Sequence, residues 1–422
     1  MHAYRAEHCQ FPQQCRAAPL ASLAVSRHEA VPKANSFDPT FDIQQKRGNR
    51  NAKWSKYGGE ALPGWVAEHD FRPPPAVLDA MQATIDRGDF GYHDLEDDVG
   101  EVFARWASER YGWCPDPEFV HTCVDVLQGV TAAVTALAEP RAGVILTPPI
   151  YHIFLQICPT ARRRQLEWTM RCDRERGWHL DPDDLEALVR REPGARVLLW
   201  CHPHNPTGWV AGTEVLTRIV ELAHAYDFYV VSDEIHADLV YPDSSAPFVP
   251  MLSIPGAAER VMTVTSPAKT FAMSGLRCAV MAYGDRALRR RVREAHPPLL
   301  LGHAARTGID ATIAAWAHGA TWTDGLVAHL HGLRDHLADR LAAEAPAVRF
   351  HRPDATFLAW LDVSACGLGE SPADRLLHHA RVAVSEGTEF GTNGHGHIRL
   401  NFGTSDAVLD QIIDRMLGCL RT

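Results

Sequence analysis

Between about Gly91 and Tyr283, short apolar runs alternate with helical patterns, and no other feature of this 422-residue chain restricts its fold as much. Residues 144–147, 197–200, 228–232, 261–265 and 278–283 read as buried strands. Between them, residues 183–191 and 213–226 have the caps and spacing of helices. That order implies an α/β fold, a mainly parallel sheet with helices on both faces. The C-terminal part changes character, with a long helix around 321–344 that can run no further than Pro346. Strands near 357–361 and 397–401 and a closing helix from Asp406 follow, which predicts a smaller α+β domain joined by the segment before Gly91. The expected division is an irregular arm over 1–37, part of the small domain over 38–85, the large domain over 86–310 and the rest of the small domain over 311–422.

In open α/β sheets, ligands sit beyond the carboxyl ends of the strands. The unusual polar residues fall at those points. His202-Pro203-His204-Asn205-Pro206-Thr207-Gly208 follows one expected strand, Asp233-Glu234-Ile235-His236 the next, and Ser266-Pro267-Ala268-Lys269 a third. Each cluster alone also reads as loop chemistry, a turn around Asn205 or a helix cap at Asp233. Three in succession bring an amide, a carboxylate and a lysine to one edge.

Lys269 is the only lysine after residue 56, and arginine supplies positive charge through the rest of that span. Arginine can serve in surface ion pairs but stays protonated, so it cannot replace an uncharged, nucleophilic amine. Lys269 is therefore a candidate for imine chemistry with a carbonyl compound. A leftover surface lysine is the alternative.

Composition excludes other classes. A hydrophobic content of 46% and a charged content of 22% are those of a globular protein. A net charge of −10 argues against a nucleic-acid surface, and no run approaches the apolar length of a membrane span. Ten scattered cysteines without a CxxC pair fit the reduced thiols of a cytoplasm. The pairs His202/His204, His378/His379 and His395/His397 lack further ligands at metal-site spacing, so no metal is expected. The apolar piece over 17–25 contains Pro19 and Ser22 and makes a weak signal-peptide core.

These residues resemble the aspartate-aminotransferase superfamily of pyridoxal-phosphate (PLP) enzymes, fold type I, over about residues 38–420. The resemblance rests on Asn205-Pro206-x-Gly208, Asp233-x-x-His236, Ser266-x-x-Lys269, Arg277, and Arg399-Leu400-Asn401-Phe402. Within that superfamily the chain is most similar to the cystathionine β-lyase-like C–S lyases. Lys53-Trp54, Gly91-Tyr92, Lys269-Thr270-Phe271 and the stretches 65–71, 232–239, 355–362 and 385–391 carry this likeness. His236 stands where ordinary aminotransferases usually have Tyr.

The resemblance implies a role for each residue. Lys269 would hold PLP through its amine and then act as the base that takes the Cα proton. Asp233 would keep the pyridine nitrogen protonated. Asn205 and His236 would lie near the phenolic oxygen, although Asn205 also suits a turn and His236 a satisfied core histidine. Gly129 and Val130, in Gln128-Gly129-Val130 at the start of an apolar helix, would join Ser266 and Arg277 around the phosphate; a plain helix start is the alternative. Tyr151 would stack on the ring, or simply belong to the core. Tyr92 would reach the phosphate of a neighbouring subunit, implying a homodimer with shared sites. Arg399 would clamp the substrate carboxylate, or else make a strand salt bridge.

Glu68-His69 stand where Asp and then a small or apolar residue are usual, near the expected substrate pocket. Ala272 replaces a common Asn, and Ala246-Pro247 a frequent His. The activity implied is α,β-elimination on an S-substituted L-cysteine, giving a thiol, pyruvate and ammonia. Transamination and decarboxylating or oxidative chemistry are the alternatives. Regulators with this fold carry an N-terminal DNA-binding domain, which the irregular stretch 1–37 does not supply.

Overall fold

Seven strands form the large sheet of the computed structural model, which describes residues 36–420. In chain order they are β1 (Val120–Cys123), β2 (Gly143–Leu146), β3 (Arg164–Glu167), β4 (Ala195–Cys201), β5 (Tyr229–Asp233), β6 (Val261–Thr265) and β7 (Ala279–Tyr283). Their order across the sheet is β1-β7-β6-β5-β4-β2-β3, and only β7 runs against its neighbours. The pattern of β4 shows why the sheet is covered on both sides. Val197, Leu199 and Cys201 join one core with Val144, Val231 and Val264, whereas Leu198 and Trp200 join another with Ile145 and Val230. Side chains alternate between faces along a strand, so a strand between two helix layers is apolar throughout.

The helices have local causes. Pro182–Arg191 is capped by Asp181, which accepts a bond from the Asp183 amide; it has proline in its first turn and Arg190 and Arg191 in its last. The expected strands 261–265 and 397–401 coincide with those observed, and the others agree within two residues. The sequence expectation has no counterpart for β1 or β3. β3 lies at the sheet edge with only Leu166 buried, so it carries no apolar run.

A second, antiparallel sheet contains β8 (Arg349–Phe350), β9 (Leu358–Asp362), β10 (Ser385–Glu386) and β11 (His397–Asn401), in the order β8-β9-β11-β10. Arg399 lies opposite Trp360 on one side and Ser385 on the other. The helix Ala320–Glu344 packs Leu326, Leu330, Leu333 and Leu337 into a core shared with Ile412, Ile413 and Met416 of the closing helix Asp406–Leu420. Of the arm expected over 1–37, only Ser36 and Phe37 fall within the described residues; the Phe37 ring packs edge-on against Phe71 at 4.9 Å and Trp322 at 5.4 Å. Among the described residues, no helix is long and apolar enough to cross a membrane.

Candidate active site

β4, β5 and β6 are adjacent and parallel, so their carboxyl ends deliver Asn205, Asp233 and Lys269 to the wall of one cavity of about 520 Å³. Tyr151, His236, Ser266, Arg277 and, from β11, Arg399 line the same cavity. Lys269 Nζ donates to the carbonyl of Ala67 at 2.6 Å. Arg399 Nη1 donates to Asn205 Oδ1 at 3.1 Å, and its Nη2 to the Trp65 carbonyl at 2.7 Å and to Ser385 Oγ at 3.2 Å. Asp233 accepts from the Ile235 amide at 3.1 Å.

Burial sets the electrostatics. It draws the Lys269 amine down to about 8; Glu68 and Asp233 oppose that shift and Arg399 adds to it. Burial also pushes Asp233 up to about 7, against the pull of the Ile235 amide and Lys269. His236 falls to about 3, through burial first and then the positive charge of Lys269 and Arg399, so its imidazole is neutral. The site therefore offers an amine able to exchange a proton near neutral pH and a buried carboxylate that a cation would stabilise.

The anion-binding end is built on the helix Val126–Leu137. Asp125 caps it by accepting from the Gln128 amide and pairs with Arg277 Nη2 at 2.5 Å. Val126 and Leu127, at the first turn, line the cavity, and amides there have no intrahelical acceptor. Ser266 Oγ donates to the Cys278 carbonyl at 2.7 Å and accepts from the Ala268 amide at 3.2 Å.

Two polar atoms of buried cavity residues, Arg399 Nε and His236 Nδ1, have no partner among the described residues. These unmet groups, with the amine, the buried carboxylate, an aromatic ring and a helix end, fit PLP. Lys269 would meet its carbonyl, Asp233 its ring nitrogen, and Arg277 with the helix end its phosphate.

Several expected residues lie elsewhere. Gly129 and Val130 are off the cavity wall. The Asp125 cap starts the helix at Val126, two residues earlier than expected, so the Gly129 amide bonds to the Asp125 carbonyl and Val130 is buried in the core. Gly129 serves packing instead: a Cβ there would meet Val264 at 2.8 Å and Cys123 at 3.1 Å. His69 is also away from the cavity, its ring packed against Phe71, Trp322 and Phe357 and its Nε2 bonded to the Thr270 carbonyl at 3.0 Å. Glu68 is absent from the lining as well; its carboxylate accepts from Asn51 at 3.1 Å and acts on Lys269 through charge alone. Tyr92 is fully exposed and lies outside this chain's own cavity.

Other groups escaped the sequence reading. Asp125, the partner of Arg277, was hidden as a helix cap whose sole local signal was its place before an apolar helix. Lys53, which the sequence offers only as part of the Lys53-Trp54 likeness, is buried and paired with Asp70 at 2.9 Å. The Lys53-Trp54 motif was the signal that could have found it.

The chain matches the family model of aminotransferase class I and II over residues 66–416. It is 32% identical over 388 residues to cystathionine beta-lyase PatB of Bacillus subtilis, covering 90% of this chain and 99% of that protein. Cystathionine beta-lyase of Corynebacterium glutamicum is 28% identical over 387 residues, covering 90% and 99% respectively. Among solved structures, the PLP-bound C–S lyase from Staphylococcus hominis superposes with a TM-score of 0.84 at 25% identity, covering 91% of this chain and 98% of that one.

Proposed function

The chain belongs to the aminotransferase class I and II family, and from that premise we propose that it is a PLP-dependent carbon–sulfur lyase acting on S-substituted L-cysteine. The convergence of Lys269, Asp233 and Arg399 on one cavity supports this assignment. When bound, PLP supplies a carbonyl for amines and a ring that accepts electrons.

The chain's own groups do the rest. Arg399 clamps the substrate α-carboxylate and, held by Asn205, fixes which Cα bond faces Lys269. Lys269, with an amine near 8, takes the Cα proton. The electrons of the Cα–H bond become the Cα–Cβ double bond as the Cβ–S bond breaks and thiolate leaves. Hydrolysis of the released enamine gives pyruvate and ammonia. Asp233 would supply the charge that keeps the ring nitrogen protonated, and Tyr151 lines the cavity. Neutral His236 offers its unpartnered Nδ1.

A homodimer with Tyr92 entering the partner's site is part of the same proposal. The exposure of Tyr92 beside Phe90, together with exposed Leu299 and Leu300, supports it. Purified protein supplied with PLP and either L-cystathionine or S-alkyl cysteines should release thiol or homocysteine and pyruvate over many turnovers without an added keto acid. Keto-acid-dependent consumption of the amino acid with no free thiol would overturn the lyase assignment in favour of transamination.

A further inference from the structure

The backbone from Trp65 to Asp70 runs between the two cations of the site. The Trp65 carbonyl accepts from Arg399, Val66 from Asn401 at 2.6 Å, and Ala67 from Lys269. The Glu68 carbonyl accepts from Lys53 at 2.8 Å and from Asn401 at 2.7 Å. Four consecutive carbonyls thus each face a side-chain donor, and the first and third face Arg399 and Lys269.

Two buried cross-links hold this ribbon from behind. Lys53 pairs with Asp70, and Asp70 also accepts from Trp54 Nε1 at 2.7 Å. His69 Nε2 bonds to the carbonyl of Thr270, the residue after Lys269. Because that partner is a carbonyl, Nε2 carries the proton and donates; Nδ1 has no partner among the described residues. None of these three side chains lines the cavity. A buried ion pair is weak evidence for stability, since the desolvation of both charges offsets their attraction. Its consequence here is geometric: it fixes where the ribbon's carbonyls lie.

We propose that His69 and the Lys53–Asp70 pair are positioning residues that clamp the 65–70 ribbon, and that the ribbon sets the Lys269 amine and the Arg399 guanidinium in mutual register. This rests on the reading of Lys269 as the reacting amine and Arg399 as the carboxylate clamp. A carbonyl accepting from Lys269 favours its ammonium form, so a slackened ribbon lowers the basicity of that amine. Glu68, Asp233 and Arg399 are the charged groups acting on the amine, and all remain in the variants proposed.

The test compares His69→Leu, which removes the donor yet suits its aromatic neighbours, with His69→Gln, which keeps an N–H donor. The double variant K53M/D70L removes the ion pair without leaving a charge unpaired. On full-length protein freed of PLP, the pH midpoint for Lys269 acetylation, read by peptide mass spectrometry, should fall by about half a unit or more in His69→Leu and in the double variant. His69→Gln should restore it. In the loaded enzyme KM should rise several-fold as kcat falls, because one ribbon serves both cations. A lowered melting temperature with both the midpoint and KM unchanged would overturn the proposal, since that is what a merely structural role predicts. Should His69→Leu fail to fold, the double variant carries the same comparison. Wild-type protein that releases no thiol from any cysteine conjugate would defeat the lyase reading, whereas the labelling comparison depends only on the chain.

Discussion

Asn205 Oδ1 accepts a hydrogen bond from Arg399 Nη1 at 3.1 Å, joining the loop after a central strand of the large sheet to the middle of the small one. Both side chains are buried, and the bond fixes the angle at which the guanidinium faces the cavity. Replacing Asn205 with Ala leaves a buried charge with one partner fewer. Hydrogen bonds to charged groups contribute about 1.5–3 kcal/mol. KM for the amino-acid substrate should rise ~10-fold or more, because each 1.4 kcal/mol is about tenfold in affinity. Steady-state kinetics with an unchanged KM would show that Arg399 is oriented without Asn205.

Lys269→Ala removes both the amine and the base. Turnover should fall by ~10³-fold or more, since a positioned base alone contributes about 10²–10⁴. The visible absorbance of PLP held on the enzyme should disappear with it. A variant retaining both would show that the cofactor is not attached at this lysine.

Asp125 spends its charge on Arg277, whose side chain is 57% exposed, and a pair so open is worth only ~0–1 kcal/mol. Asp125→Asn keeps the helix cap, since Asn caps about as well as Asp. It frees Arg277 and removes a negative charge beside the expected phosphate. PLP should bind up to ~5-fold tighter, the range such a pair allows, and the gain should shrink as salt is added. Cofactor titration at low and high ionic strength checks this; weaker binding would place the phosphate elsewhere.

Asp233 binds a proton more readily in the folded chain, near 7, than at its ordinary value of 3.8. Between about pH 4 and 7 the folded state therefore holds more protons than the unfolded one, and this group's contribution to stability falls as pH rises through that window. Above it, the cofactor-free protein carries a buried charge. Asp233→Asn should raise its melting temperature at pH 8 by ~1 °C for each kcal/mol relieved, and the gain should vanish near pH 4. The same variant should lose turnover in the loaded enzyme. Equal melting temperatures at both pH values would contradict a buried, uncompensated carboxylate.

Much of the site could be read in the sequence because its chemistry is tied to local signals. Asn205, Asp233 and Lys269 each follow an apolar run, and parallel strands place their carboxyl ends on one edge. Gly129 could not be read correctly. Its neighbours Val264 and Met281 belong to strands far along the sequence, and their crowding explains the glycine better than cofactor approach does. His69 was expected near the substrate because it follows Glu68 in an unusual dipeptide. Nothing local reveals that its ring turns into the aromatic core and bonds to the residue beside Lys269.

By itself, the sequence determined the alternation of strands and helices, the family, and Lys269 as a candidate amine, because periodicity and residue chemistry are local properties. Only the tertiary structure decided which groups are buried and whom they face: Lys53 against Asp70, Asp125 against Arg277, and the 65–70 carbonyls against Lys269 and Arg399. Burial and hydrogen-bond partnership depend on atoms that the chain brings together only when it folds, from positions as far apart as Trp65 and Arg399.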